Sequence, residues 1–361
     1  MPLFLFLRLR YLRALLIGLG VAGLLTLVGA TGGKTRTAQG AEPGPPREAQ
    51  LASLYEEPDQ EPTEQWTSAQ LKDRAGYWAG TPDSEILGKL RKSSIRKISF
   101  NRGGSSLSFK IELSGRMAAA FKPEQIHEQT VPRKEVAAYR INRLLGLSRV
   151  PPATCRTLTL RDLYTYMDPE QRHLFFRIQK EARFLQAGNL AGEVSYWIPQ
   201  IRYMPIDRWS YRENWHQWLK AYKKLPARWV SRTAQLSVML IFDFLINNPD
   251  RFSGHNTMST MDGKFLYFMD NAYSFHLLPR GGKVARGNLE RVQRFSRSFF
   301  ARLKSLDEKK LRAGLDEEAG CPWPLLTDEE IKAVLDRRRF IIQHVNAVVA
   351  RYGWERTMVF P

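Results

Sequence analysis

The sequence predicts an α+β fold in two lobes, sheet-rich first and helix-rich second. Three observations lead there. Between Ile95 and Lys122, short apolar strands alternate with Gly- and Ser-containing turns. Beyond Pro199 the apolar residues recur mostly at helical spacing. Within that second half an apolar helical run, Ile241 to Asn247, breaks into a polar loop and then a short apolar strand that stops on Asp270-Asn271. The stretch 83–361 is long enough to bury a core of its own.

The N-terminus is of a different kind. Arg8, Arg10 and Arg13 precede an uncharged stretch, Ala14 to Gly33, whose length suits a bilayer-spanning helix. Val28-Gly29-Ala30 also offers a small-residue cleavage site. Residues 1–33 therefore read as a signal anchor or a signal peptide, a link to the membrane that sends the rest of the chain across it. Residues 34–82 contain EPGPP and EEPDQEPTEQ runs with few periodic apolar positions, and read as a flexible linker.

Residues 83–199 form the expected first lobe. Ile95 to Phe100, Ser106 to Glu112 and Met117 to Lys122 are strands, separated by Asn101-Arg102-Gly103-Gly104 and Ser114-Gly115. Lys134 to Leu145 has helical spacing and Gly146 is its stop. Val150-Pro151-Pro152 forces an extended chain, and Val194 to Ile198 is a strand ended by Pro199. Residues 200–361 are the helical lobe, with helices over 212–222, 232–247, 291–303 and 328–352. The last has Thr327 as N-cap, Glu330 three places on, and Gly353 just past its end.

Lys plus Arg number 55 against 36 Asp plus Glu, a net +19, which favours anionic partners. The basic residues are scattered and form no arm, zinc module or RNA-binding signature, which argues against nucleic acid. Cys155 and Cys321 are too few and too far apart for a zinc site. One disulfide and two free thiols both stay open.

Asp250, Asn256 and Asp270 can converge where loop and strand end meet. Carboxylate and amide oxygens in that arrangement suit Mg²⁺ or Mn²⁺ carried on nucleotide phosphates. Lys122, ending the strand AAAFKP, is a compact point charge for those phosphates, and Glu135 opens the next helix, where it can orient Lys122 or reach the metal. Gly103, Gly104 and Ser105 can fold over phosphates with their backbone N–H groups. Each has a plainer reading: a hairpin turn, an exposed strand-end Lys, an acid matched to a helix dipole, a turn Asp. The ordered series Lys, Glu, Asp, Asn, Asp is what favours chemistry.

FKP at Phe121 to Pro123, EVAAYRINRLLGLSRVPP at Glu135 to Pro152, IFDFLINNPDR at Ile241 to Arg251 and MDNAYSF at Met269 to Phe275 stand in order over about half the chain. Together they resemble the secretory-pathway atypical kinases, the Four-jointed and Golgi casein kinase-like group. FKP and the GGSS hairpin also resemble, more remotely, type II phosphatidylinositol 4-kinases. The resemblance implies an atypical protein-kinase-like fold, ATP with Mg²⁺ or Mn²⁺, Lys122 on the phosphates, Glu135 at the Lys or metal, Asp250 as catalytic acid and Asp270 on the metal. Asn256 stands six places after Asp250, where most kinase loops have five, and Ala272 replaces the usual Gly. The implied activity is phosphorylation of a protein or glycan hydroxyl on a secreted or membrane-proximal substrate. The implied location is outside the cytoplasm: periplasmic or extracellular in a bacterium, Golgi-lumenal in a eukaryote. The alternatives are a kinase-fold scaffold without turnover and a membrane lipid kinase.

Overall fold

The computed structural model describes residues 76–101, 105–253, 256–318 and 320–361. The expected anchor or signal peptide (1–33), residues 34–75 of the expected linker, and Gly103 and Gly104 lie outside the described residues. The last stretch of that linker, 76–82, is packed rather than loose. A short hairpin pairs Tyr77–Trp78 with Thr81–Pro82, and the buried Trp78 ring meets Tyr196 at 6.4 Å and Tyr267 at 5.9 Å. Helix α1, Asp83–Lys92, follows directly. Its buried Asp83 accepts from Tyr139 at 2.7 Å and pairs with Arg143 at 2.8 Å.

The sheet contains β1 (Ile95–Phe100), β2 (Phe109–Leu113), β3 (Ala118–Pro123), β4 (Ala153–Thr159) and β5 (Asn189–Tyr196), in the antiparallel order β1-β2-β3-β5-β4. Phe109 stands opposite Phe121 and Ile111 opposite Ala119, all fully buried, so one face of the sheet is core. Strand β5 begins earlier than the expected Val194, and that extension carries Glu193 into register with Lys122. Gly192 makes the approach possible: a Cβ there would lie 2.3 Å from the Lys122 carbonyl oxygen. Helix α2, Pro132–Leu144, starts with Pro in its first turn and buries Val136, Ala137, Ala138 and Ile141.

The second lobe is built from α3 (Trp209–Trp218), α4 (Val230–Ile246), α5 (Lys283–Leu289), α6 (Arg297–Ser305), α7 (Glu308–Asp316) and α8 (Asp328–Tyr352). The capping box of α8 forms: Thr327 Oγ1 accepts from Glu330 N, and the Glu330 carboxylate accepts from Thr327 N. A helix over 291–303 does not form as expected. Phe295 N donates instead to Thr357 O at 2.7 Å, and Phe360 N donates to Phe295 O. The chain reaches helical geometry only after Ser296, whose hydroxyl caps Phe299 N.

Among the described residues one segment, Ala227–Ile246, is long and apolar enough to cross a membrane, but 83% of its apolar window is buried inside the protein. It is the core helix of the second lobe. Arg337 of α8, fully buried, donates to Leu245 O at 2.7 Å, His276 O at 3.0 Å and Leu278 O at 3.1 Å. The end of α4 is thereby tied to the loop after Phe275, and its orphan carbonyl is satisfied.

The two alternatives for the cysteines resolve to a disulfide. Cys155 of β4 is bonded to Cys321 in the α7–α8 connection, with Cα atoms 5.1 Å apart and a sequence separation of 166. Beside it the buried Glu318 carboxylate receives Arg91 at 2.7 Å, Arg140 at 2.5 Å and the Thr154 hydroxyl.

Candidate active site

Lys122, at the end of β3, reaches across to the second lobe. Its Nζ is 2.7 Å from Asp270 Oδ1, with the Lys side chain 15% exposed and the Asp side chain 48% exposed. Burial works to lower the ammonium's pKa, but Asp270, Glu135 and Glu193 together outweigh it and raise it. In return, Lys122 holds the Asp270 carboxyl below its usual range. Asp270 itself sits in left-handed backbone, φ +58°. Asp tolerates that conformation better than most residues. The expected strand up to Met269 covers only Leu266–Tyr267, so Asp270 lies in the coil beyond it, and its side chain reaches Lys122 from there.

Asn271 locks this turn. Its backbone N–H donates to Glu135 Oε2 at 2.5 Å, and its Nδ2 donates to Glu135 Oε1 at 3.0 Å and to Phe268 O at 2.8 Å. Its Oδ1 accepts from Arg251 Nη2 at 2.8 Å and Asn248 Nδ2 at 3.2 Å. Glu135 therefore holds the backbone after Asp270, and among the described residues it forms no ion pair with Lys122 within 4.0 Å. Burial raises the Glu135 pKa, against the pull of Lys122.

Arg251 is the hub beneath the loop. Only 1% exposed, it grips the Asp243 carboxylate from Nε and Nη2 at 3.1–3.2 Å, and donates to the carbonyls of Met269 and Asn256. Burial pushes the Asp243 carboxyl up and Arg251 opposes it. Asp250 presents its side chain just before this hub. The Ser253 hydroxyl donates to Oδ1, and Asn256 Nδ2 donates to Oδ2 at 3.0 Å and to the Asp250 carbonyl at 3.1 Å. The Asn256 amide nitrogen thus faces Asp250, and among the described residues its Oδ1 accepts no hydrogen bond. Ser105 is exposed, with Oγ 3.4 Å from His127 Nε2. The base of its hairpin is pinned by buried Gln125, which accepts from Leu107 N at 2.8 Å and donates to Leu107 O and Pro123 O.

Sequence reasoning missed Glu193. It is 1% exposed, its Oε2 has no hydrogen-bond partner among the described residues, and its pKa is pushed up to about 8 by burial and by Glu135 and Asp270, against Lys122. Its only signal was a single acid beside the apolar run of β5. The donor set fits a divalent cation carried on phosphates. Asp270 offers a half-exposed carboxylate, and Glu193 leaves a buried carboxylate oxygen unsatisfied in a pocket that already holds excess negative charge. Among the described residues no group of three or more His, Cys, Asp and Glu is arranged to hold a metal ion. The protein oxygens here suit a metal that completes its shell on phosphate.

A sheet-rich lobe offering a lysine, joined to a helical lobe offering two loop aspartates, Asp250 and Asp270, defines an atypical protein-kinase-like fold. No family model matches the chain. It is 22% identical over 337 residues to a glycosaminoglycan xylosylkinase of Danio rerio, covering 79% of this chain and 82% of that protein. It is 22% identical over 321 residues to the human extracellular serine/threonine protein kinase FAM20C, covering 74% of this chain and 54% of that one. The crystal structure of the Golgi casein kinase with Mn/ADP bound superposes with a TM-score of 0.63 at 18% identity, covering 77% of this chain and 78% of that one. The chain is thus similar to the Golgi casein kinase-like group, as its four motifs indicated.

Proposed function

We propose that this chain is an ATP- and Mn²⁺- or Mg²⁺-dependent kinase that phosphorylates a hydroxyl on an exported protein or glycan. The observation that carries the reading is the Lys122–Asp270 contact across the two lobes, set beside the unsatisfied Glu193 oxygen. In a kinase, nucleotide phosphates take up the lysine and the metal takes up the aspartate. When bound, the divalent ion neutralises charge on the phosphates and fixes their orientation. Lys122 supplies a second, protein-borne charge to the same phosphates. Asp270, Glu193 and the Asn256 Oδ1 atom are the oxygens available to the ion.

Asp250 accepts the proton of the attacking hydroxyl, steered by the hydrogen bonds from Ser253 and Asn256 that fix its carboxylate. Arg251, held by Asp243, keeps the Asp250 loop and the Asp270 turn in one frame, since it touches Met269, Asn256 and Asn271 together. The disulfide fits an oxidising compartment and supports export. Residues 1–33 would supply the membrane link.

Radiolabelled ATP with Mn²⁺ and the full chain, resolved into protein, glycan and lipid fractions, tests the reading. Label in protein or glycan is expected. Label confined to lipid would make the chain a lipid kinase. Nucleotide-dependent stabilisation with no transfer to any fraction would make it a kinase-fold binding protein.

A further inference from the structure

Between α3 and α5 lies a cavity of about 660 Å³ that the proposed phosphotransfer does not use. Its walls carry Arg212 and His216 from α3, Lys283 and Arg286 from α5, and Arg291 just beyond. The one acid lining it, Glu290, is 3.8 Å from Arg286. Among the described residues no carboxylate pairs with Arg212, Lys283 or Arg291. Burial, together with Arg291, Arg212 and Lys220, presses the His216 pKa down to about 4. Arg212 is held in place by its contact with the Phe252 ring, 5.3 Å from the ring centre, and Phe252 is stacked in turn at 5.9 Å on the buried Trp215. A planar guanidinium fixed over an aromatic ring is pre-organised for forked hydrogen bonds to an oxyanion.

We infer that this cavity is a binding site for a ligand carrying phosphate or sulfate ester groups on a carbohydrate-sized scaffold. Four cations, Arg212, Lys283, Arg286 and Arg291, line it against the single acid Glu290, so the wall carries net positive charge that favours an anionic occupant. The volume falls in the range of small-molecule sites, well beyond a bare tetrahedral ion. The site is separate from the Lys122–Asp270 pair and does not depend on the kinase reading. Its wall touches the loop that carries Asp250 through Phe252, so an occupant sits beside that loop.

The test is calorimetric titration of the full chain, without nucleotide, using five probes: inorganic phosphate, inorganic sulfate, a sulfated disaccharide, a phosphorylated disaccharide and an acidic peptide. The expected result is saturable binding of one or both disaccharides, with the inorganic ions competing weakly. The preferred disaccharide then identifies the ester. Arg212→Gln/Arg291→Gln should weaken binding by about tenfold or more. A control of equal net charge, Arg161→Gln/Lys309→Gln, should leave it unchanged, as should Asp270→Asn. Equal weakening by both double variants would reduce the effect to the overall charge of the protein and overturn the site. So would an acidic peptide binding in place of every ester probe. If Arg212→Gln/Arg291→Gln fails to fold, Lys283→Gln alone carries the same comparison.

Discussion

Lys122 and Asp270, 148 residues apart in sequence, meet at 2.7 Å across the two lobes. Each residue is the other's charge partner across the lobes, and on the proposed function phosphate and metal would take those places. Asp270→Asn keeps a residue that tolerates the φ +58° backbone and removes the charge. It should abolish Mn²⁺-dependent stabilisation by ATP while leaving the melting temperature of the free chain near that of wild type. Thermal shift with and without Mn²⁺ reads both. Lys122→Arg should not rescue Lys122→Ala, since a planar fork cannot replace a compact ammonium at a phosphate. Unchanged metal-dependent nucleotide binding in the folded Asn variant would sink the assignment of Asp270.

Asp250→Asn separates binding from turnover. The amide keeps the shape and gives up the proton-accepting role, so nucleotide should bind as in wild type while transfer falls by about 10²–10⁴-fold. Single-turnover transfer and equilibrium binding, measured on one preparation, check the split. Loss of binding would move Asp250 from proton acceptor to structural residue.

Arg251→Met should be the most destabilising single change near the site. It strands a buried Asp243 carboxylate and releases the contacts to Met269, Asn256 and Asn271. Breaking a buried ion pair from one side costs on the order of 3–5 kcal/mol. Chemical denaturation measures that loss. A change within the error of surface substitutions would show the hub to be dispensable.

Much of this site was legible because the chemistry lies in short, ordered runs. IFDFLINNPDR holds both the hub and its carboxylate partner, and MDNAYSF holds the Asp270 turn. The capping box at Thr327 was equally plain, because both of its bonds are local. What stayed hidden depends on pairing between distant strands. Glu193 joins Lys122 only through the β3–β5 register, which no local pattern encodes. Strand β4 lay unseen behind Pro151-Pro152. The false start of a helix at 291 has the same origin: the backbone around Phe295 pairs with the C-terminal residues Thr357 and Phe360. Spacing alone could not decide whether Cys155 and Cys321 join.

That disulfide closes a long loop and ties β4 to the connection before α8. Cys155→Ser/Cys321→Ser should lower the stability of the chain by about 2–5 kcal/mol. Reductant should lower wild type toward the variant and leave the variant unchanged. Equal stability of oxidised wild type and double variant would remove the bridge as a stabilising element.

Glu193 contributes to the pH dependence of the metal-free chain. Its pKa in the folded state is pushed up to about 8, above the ordinary value of 4.5, so the folded chain holds a proton that the unfolded chain has lost. The contribution is fully present below about 4.5 and drains away as pH rises through about 8, making this part of stability fall with rising pH. Glu193→Gln mimics the protonated form, and its denaturation midpoint should change less than wild type's across that window. Binding of Mn²⁺ with nucleotide favours the carboxylate, so it should release a proton near neutral pH in wild type and less in Glu193→Gln. Titration calorimetry in buffers of different ionisation enthalpy counts that proton. Equal release in both proteins would place the titrating group elsewhere and leave Glu193 as a buried acid outside the metal's reach.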